Sequence, residues 1–167
     1  LDGSMGPGMA VSWDVVNDPA NPSITFRLRK GVKFHDGTEM NAQAIKWNMD
    51  MFANPGKLVP GSAPMFTSTT GYWKSYDVLD DYTIRVNYTE WRNTFLRSWE
   101  NYFMVSPGAF TQNGIAWSRD HMVGTGPFKQ TNYQRDVSVS AIKFDGYYEA
   151  GKPYLDGLKI NYISDEL

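Results

Sequence analysis

One short segment limits the fold of this chain more than any other. From Ser23 to Arg29, apolar and polar residues alternate, with Ile24, Phe26 and Leu28 as the apolar set. A period of two is typical of a β-strand that buries one face. The run from His35 to Gly37 then indicates a tight turn, because Asp-Gly favours positions with positive backbone φ. The chain is therefore expected to contain a sheet with one buried and one polar face.

Helical spacing interrupts this strand pattern two or three times. Asn41 is a suitable N-cap for a helix over Ala42 to Ala53, whose apolar side chains share one face. A second helical spacing covers Trp91 to Trp99. A third helix is predicted between a Ser-Pro start at Ser106 and a glycine stop at Gly114.

Alternating segments predict two β-hairpins and two further strands. The hairpins are Trp73 to Leu79 with Thr83 to Tyr88, and Phe128 to Tyr133 with Val137 to Phe144; the further strands are Val11 to Val16 and Leu158 to Ser164. The predicted fold class is α/β mixed (α+β), with a largely antiparallel sheet and two to three inserted helices.

Composition excludes several kinds of function. The chain has 167 residues, of which 41% are hydrophobic and 20% charged, as in an ordinary globular domain. A net charge of −2 without a Lys/Arg run argues against a nucleic-acid partner. The absence of Cys excludes disulfides and thiolate metal sites. We expect no signal peptide within these residues, and no apolar run reaches the ~20 residues that a membrane helix needs.

Motifs for catalysis, metal or cofactor binding are weak. His35 and Asp36 sit in a predicted turn, and the only other histidine, His121, is far along the chain and not at zinc-site spacing. Gly124 to Gly126 lacks the third glycine and the lysine of a phosphate loop. The Asp80–Asp81 pair belongs to a hairpin turn. We therefore expect no catalytic residue, no metal site and no cofactor.

Four segments in the same order carry a family resemblance. They are Gly8 to Trp13 with Thr25 to Gly37; Asn41-Ala42 with Ile45-Lys46; Val123 to Lys129; and Tyr147-Tyr148 with Lys152 to Gly157 and Ile163 to Asp165. Together they resemble the family 5 extracellular solute-binding proteins, the peptide- and nickel-binding components of ABC importers. The resemblance runs from Gly8 to the end of the chain.

The resemblance implies a fold and a place within it. Family members have two lobes in a class II periplasmic-binding-protein-like fold, and this chain resembles a middle section of lobe I. Residues 1–10 are expected to be irregular or tag-like, residues 11–162 a mixed sheet/helix subdomain, and residues 163–167 the start of the crossing to the second lobe. Sheet edges without their partner strands would favour self-association of such a fragment.

A function follows from the same resemblance. It implies a non-enzymatic, extracytoplasmic binding protein that captures a small solute between two lobes and delivers it to the membrane permease. An oligopeptide is the first ligand expected, a cellobiose-like oligosaccharide the second and a nickel chelate the third. A carbohydrate-active enzyme domain and a stand-alone interaction module are the alternatives from other classes.

Two loop regions tend to face the ligand cleft in this family. Ring faces there could stack on a peptide side chain, a sugar or a chelate, and an amide could hydrogen-bond. Packing in the core is the competing interpretation of the same aromatic residues. The predicted ligand-binding residues are Tyr72, Trp73, Asn101 and Tyr102, with Met65 and Phe66 as weaker candidates.

Overall fold

The chain divides into two compact units, each made of two chain segments. The computed structural model describes residues 5–57 and 59–163. The first unit comprises Leu1–Lys30 and Asn41–Phe103, and the second comprises Gly31–Met40 and Met104–Leu167. The subdomain predicted over residues 11–162 thus contributes to both units.

The first unit is built on a four-stranded sheet. Its strands are β1 Ala10–Val16, β2 Ser23–Leu28, β3 Trp73–Asp80 and β4 Thr83–Tyr88. They run antiparallel in the order β1-β2-β4-β3. The predicted strand from Ser23 and the first predicted hairpin are therefore confirmed, although β1 and β3 pair irregularly near their ends.

The two faces of this sheet differ completely in chemistry. Pairing places Ile24 opposite Val86 and Phe26 opposite Ile84, and all four side chains are buried. The residues between them point to the other face, because successive side chains of a strand alternate.

The other face of the first sheet is polar and cross-linked. Arg27 Nη2 lies 2.6 Å from Asp14 Oδ2, and Asn87 Nδ2 donates to Asp77 Oδ2 at 2.7 Å. Arg85 pairs with Thr25 across the same face. These contacts join all four strands on their exposed side.

Helix α1, Ala42–Ala53, packs its apolar residues in the first unit as predicted. The Asn41 side chain accepts a hydrogen bond from the Ala44 amide at 2.9 Å, which caps the helix. Ile45, Met49 and Phe52 on one face are buried. A 3₁₀ turn at Pro55–Lys57 and the short helix α2, Thr67–Thr70, follow.

The helix predicted over Trp91 to Trp99 is largely wrong. Only α3, Phe95–Ser98, is α-helical, and a 3₁₀ turn at Trp99–Asn101 continues it. Residues 91–94 are not helical, and the Phe95 amide donates to the Arg92 carbonyl at 3.0 Å in a turn that precedes α3.

The second unit contains helix α4, Pro107–Ser118, and a three-stranded sheet. The strands β5 Phe128–Gln134, β6 Ser138–Lys143 and β7 Gly157–Asn161 pair antiparallel in that order. The second predicted hairpin is confirmed. The last strand ends at Asn161, before the predicted end at Ser164, which lies outside the described residues.

Helix α4 begins as the sequence predicts and ends later. The Ser106 hydroxyl accepts from the Ala109 amide at 3.1 Å and caps the helix. At Gly114 the backbone leaves the helix, with φ 79° and ψ 174°, and helical geometry resumes to Ser118. The Ser118 hydroxyl donates to the Gly114 carbonyl at 2.9 Å, which ties the resumed turn to the break.

The predicted fold class is confirmed, since every strand pair among the described residues is antiparallel and helices are inserted between them. Residues 5–9 precede β1 without regular structure, and residues 1–4 lie outside the described part. The crossing expected at residues 163–167 lies outside it as well, apart from Ile163. Across residues 5–57 and 59–163, no helix has the length and apolar character to span a membrane.

Candidate functional site

The four predicted ligand-binding residues all lie in the first unit. Trp73 opens strand β3 and Tyr72 precedes it, while Asn101 ends the 3₁₀ turn and Tyr102 follows it. The structure brings Trp73 and Tyr102 together, with ring centroids 5.4 Å apart. Asn101 is exposed and directly precedes Tyr102 in the chain, and Tyr72 belongs to a different group of rings.

Trp99 completes the contact between Trp73 and Tyr102. Its ring stacks on Trp73 with centroids 5.3 Å apart and an interplanar angle of 9°. Its centroid also lies 5.0 Å from that of Tyr102. Phe52 and Phe66 close the other side of Tyr102, at 5.3 Å and 5.0 Å. We call these five residues, Phe52, Phe66, Trp73, Trp99 and Tyr102, the aromatic cluster.

Tyr102 supports the aromatic cluster from inside. Its side chain is only 4% exposed, and its hydroxyl forms a hydrogen bond with the hydroxyl of Thr69. Burial raises the pKa of the Tyr102 hydroxyl. The ring therefore holds its neighbours in place, whereas Trp73 and Trp99 are half-buried and keep part of their surface accessible.

Phe66 is placed by an unusual backbone conformation. Its φ is 55°, in the left-handed region that residues with a β-carbon rarely occupy. Its carbonyl accepts from the amides of Thr69 and Thr70, at 2.8 Å and 2.9 Å, which holds this conformation. The ring meets Phe52 and Tyr102 but remains 42% exposed. Phe66 thus joins Trp73 and Trp99 as an accessible ring of the aromatic cluster.

Tyr72 lies in a second group of rings. Its centroid is 5.5 Å from that of the buried Phe95, which in turn stacks on Tyr88 at 4.7 Å. The Arg92 guanidinium lies 4.1 Å from the Tyr72 ring centre, in a cation–π contact, while Glu90 binds the same guanidinium at 2.7 Å. The Arg92 guanidinium therefore already occupies one face of the Tyr72 ring.

A charged group lies next to the aromatic cluster. Tyr76, whose ring meets Trp73 edge-on at 5.9 Å, donates its hydroxyl to Asp50 at 2.6 Å. Lys46 binds the same carboxylate at 2.9 Å. Burial raises the pKa of Asp50, but these hydrogen bonds and the Lys46 charge outweigh burial and hold it below its usual value. Asp50 is thus an ionised, fully engaged group.

The side chains at this site offer contacts for binding a ligand. Aromatic faces offer stacking and apolar contact, and Asn101 offers an exposed amide. No group of three or more His, Asp or Glu side chains that could hold a metal ion occurs among the residues described.

Sequence reasoning missed Trp99 as a member of the site. The spacing of Trp91, Phe95 and Trp99 suggested one face of a long helix, and the shorter helix found here turns Trp99 onto Trp73 instead. Only the ring contacts, which join residues distant in sequence, reveal this role.

Two of the motifs behind the family resemblance meet in the second unit. The His35 amide donates to the Gly124 carbonyl and its Nε2 to the Gly126 carbonyl, both at 2.9 Å. The Lys129 ammonium donates to the His35 carbonyl at 3.1 Å. Gly37 has φ 87°, which confirms the predicted tight turn. The histidine thus fastens one loop to another.

A comparison with known families decides what kind of protein carries these features. The family described as bacterial extracellular solute-binding proteins, family 5 middle, matches residues 4–167. The chain belongs to this family.

Other members of the solute-binding family are similar over most of this chain. A glutathione-binding protein GsiB from Pectobacterium atrosepticum is 32% identical over 161 residues, which cover 94% of this chain and 29% of that protein. The GsiB protein of Salmonella choleraesuis is 30% identical over 161 residues, with 94% and 30% covered. The chain therefore spans less than a third of the length of these relatives.

Solved structures of solute-binding proteins share the fold. The AgaA protein of Agrobacterium tumefaciens, in complex with agropinic acid, has a TM-score of 0.80 at 26% identity, covering 98% of this chain and 32% of that one. The periplasmic binding protein DppA of Helicobacter pylori, in complex with the peptide STSA, has a TM-score of 0.78 at 26% identity, covering 95% and 34%. These proteins are binding proteins and not enzymes, which confirms the prediction of a non-enzymatic chain.

Proposed function

We propose that this chain is part of the substrate-binding component of an ABC importer and that the intact protein captures an oligopeptide. Membership in the solute-binding family and the binding roles named for its relatives support the importer role. The peptide-bound DppA neighbour and the glutathione-binding relatives support a peptide as the first ligand to test, while AgaA binds agropinic acid on the same fold. Capture takes place outside the cytoplasm, in the periplasm or at the outer face of the cell membrane, and the permease then receives the ligand.

The aromatic cluster carries the proposal for the ligand contact. Trp73 and Trp99 form a parallel pair that is only half-buried, and Phe66 beside them is exposed. Flat accessible rings stack on peptide side chains and peptide planes with little loss of conformational entropy. The buried Tyr102 packs against these rings and supports them. The exposed Asn101 amide, next to Tyr102 in the chain, supplies a hydrogen-bonding group, and Tyr72 supports the start of strand β3.

The intact protein would bind by closure of two lobes around the ligand. Contacts that only the closed form offers would shift the population toward it, and the closed form would engage the permease. Because this chain spans about a third of its relatives, the isolated chain should bind peptides far more weakly than the intact protein.

An oligosaccharide is the second candidate, since the stacked Trp73–Trp99 pair would equally suit the face of a pyranose ring. A comparison of ligands on the intact protein separates the two. Isothermal titration with glutathione, Ser-Thr-Ser-Ala, cellobiose and a nickel–histidine chelate should give the tightest binding for a peptide. Tight binding of cellobiose alone would replace the peptide proposal.

Substitution tests the aromatic cluster itself. Trp99→Ala in the intact protein should weaken peptide binding by about tenfold to a hundredfold, as for aromatic residues at the centre of an interface. Trp13→Ala is the matched control, because Trp13 lies on strand β1 outside the aromatic cluster. Equal affinity of the Trp99 variant and the parent protein would rule out the aromatic cluster as the ligand contact.

A further inference from the structure

The second unit contains a cavity that the proposed function does not use. It has a volume of about 360 Å³ and lies between strand β5 and the end of helix α4 with the loop that follows. Volumes of roughly 300–1,000 Å³ are typical of small-molecule sites. The lining residues used below are Trp117, Asp120, His121, Met122, Lys129 and Asn132.

One wall of the cavity is a stacked pair of rings. Trp117 and His121 lie parallel, with centroids 4.2 Å apart and an interplanar angle of 5°. His121 Nδ1 lies 2.8 Å from the Trp117 carbonyl and donates to it, which holds the ring against the last turn of α4. The break at Gly114 separates this last turn from the rest of α4. The exposed side chain of Met122 follows directly and extends the apolar surface.

The loop behind this wall is held in place by one side chain of β5. Gln130 accepts a hydrogen bond from the Met122 amide at 2.8 Å and donates another to the Asp120 carbonyl at 2.7 Å. Both ends of its amide are therefore used, and the segment from Asp120 to Met122 is fixed against the strand. A wall fixed in this way binds a ligand without first having to order itself.

Charged groups of both signs line the same cavity. The Lys129 ammonium gives one of its three donors to the His35 carbonyl and forms no ion pair within residues 5–57 and 59–163. Asp120 is exposed and lies 3.5 Å from Arg135, a long contact that leaves its carboxylate available. The Asp36 carboxylate, by contrast, is engaged by Ser106 and by Thr38, at 2.5 Å and 2.6 Å.

We propose that this cavity binds a free amino acid with an aromatic or large apolar side chain. Lys129 receives the α-carboxylate and Asp120 the α-ammonium, while the side chain lies along Trp117 and Met122. A zwitterion offers an anion to Lys129 and a cation to Asp120, whereas a neutral sugar offers neither charge. This site belongs to the second unit and does not depend on peptide binding at the aromatic cluster.

An NMR titration of the 167-residue chain with L-phenylalanine tests the proposal. The dissociation constant should be on the order of a millimolar, as expected for a ligand of this size. Backbone amide shifts should change between Asp120 and Asn132, and the indole N–H of Trp117 should shift while that of Trp73 does not. Shift changes confined to the aromatic cluster, or none at 10-fold excess over about a millimolar, would overturn the proposal.

A chemical double cycle assigns the charges. Phenylalaninamide lacks the carboxylate, so it should bind the parent chain about tenfold more weakly than L-phenylalanine. In Lys129→Met the two ligands should bind alike, since the partner of the carboxylate is gone. Lys143→Met is the matched control, because Lys143 lies on strand β6 outside the cavity and should keep the tenfold ratio.

The role of Asp120 is tested with 3-phenylpropionate, an analogue of phenylalanine that lacks the ammonium group. Its affinity should fall by about the same factor in the parent chain and should be unchanged by Asp120→Asn. A Lys129→Met chain that still discriminates between acid and amide would contradict the assignment of Lys129. Hydrogen-exchange protection of β5 equal to that of the parent confirms that each variant remains folded.

Discussion

The two units hold their loops by different kinds of contact. In the first unit, the four other rings of the aromatic cluster pack around Tyr102, and the stabilisation comes from burial and dispersion. In the second unit, the turn at His35 is fastened by hydrogen bonds to Gly124 and Gly126, and Asp36 is fastened to Ser106. Ring packing tolerates small shifts of neighbours, whereas hydrogen bonds are lost over a fraction of an ångström. A surface that must accept varied ligands suits the first kind of contact, and a fixed junction suits the second.

The largest effect is expected in the first unit, from Phe95→Ala. Phe95 is 1% exposed and stacks on Tyr88, so its loss leaves a cavity and should reduce the free energy of unfolding by about 3–5 kcal/mol. Urea denaturation measures the loss, and hydrogen exchange should accelerate in β4. Phe103→Ala is the control, because Phe103 is 80% exposed and should cost less than about 0.5 kcal/mol. Equal losses of unfolding free energy in the two variants would show that ring burial does not stabilise the first unit.

In the second unit, Ser106→Ala should have the next largest effect. The hydroxyl both caps α4 at the Ala109 amide and donates to Asp36, so its loss should cost about 1–2 kcal/mol. Exchange of the Ala109 amide should accelerate while that of β4 stays unchanged. Ser12→Ala on the exposed side of β1 serves as a control for the substitution itself. An unchanged Ala109 amide would show that this cap does not hold the helix.

The hydrogen bond between Ser106 and Asp36 predicts that the stability of the second unit depends on pH. Burial raises the pKa of Asp36, but hydrogen bonds from Ser106 and Thr38 outweigh it and hold the pKa below its usual value of 3.8. A depressed pKa stabilises the fold above pH ~4, and this contribution is lost as the pH falls through the folded-state pKa. Asp36→Asn should therefore cost about 0.5–1 kcal/mol at pH 7, since solvent screens a partly exposed group, and less as the pH falls through the folded-state pKa of Asp36.

The control for the pH prediction is the double variant with Ser106→Ala. Ser106→Ala removes the hydrogen bond between the two side chains and Asp36→Asn removes its negative charge, so the double variant should lose less than the sum of the single losses. Full additivity of the two losses would contradict a coupling between Asp36 and Ser106. So would a difference in free energy of unfolding between the parent and Asp36→Asn that does not decrease as the pH falls.

The last prediction returns to the first unit, with an effect comparable to that of Asp36→Asn. Tyr76→Phe removes the hydroxyl that donates to Asp50 at 2.6 Å, which should cost about 0.5–1.5 kcal/mol. The pKa of Asp50 should rise at the same time, because one of the hydrogen bonds that lowers it is lost. NMR titration of the Asp50 carboxyl measures this pKa, and an unmoved value would show that the charges of Lys46 and Lys57, and not the Tyr76 hydroxyl, keep Asp50 ionised.

Local signals account for the parts of the fold that the sequence predicted well. The cap at Asn41 and the apolar face of α1 act within a few residues, and the Asp80–Asp81 turn lies between two alternating strands. The same local reasoning failed at Trp91, where a turn takes the place of the predicted helix, and at Gly114 it predicted the break but not the helical turn that follows it.

The sites were harder to predict than the elements, because distant residues form them. The family resemblance directed attention to Trp73 and Tyr102, and the structure places these two rings in contact. The partner of Trp73, Trp99, and the cavity beside Lys129 depend on contacts that cross the sequence. Lys129 and His35, for example, are 94 residues apart, and no periodicity in either segment indicates their hydrogen bond.

The contrast between the two faces of the first sheet has a consequence for how the chain folds. Ile84 and Val86 of β4 face the apolar side, while Arg85 between them faces the cross-linked polar side. If β4 paired with β2 one residue out of step, Arg85 would enter the apolar interior without its partners and Val86 would turn to water. Mispaired intermediates are therefore strongly penalised, and a copy of the chain that exchanged this strand with another would have to keep the native alignment. The charged face thus disfavours wrong strand registers during folding. Replacing its charged residues by uncharged ones should slow formation of the native pairing even where the free energy of unfolding changes little.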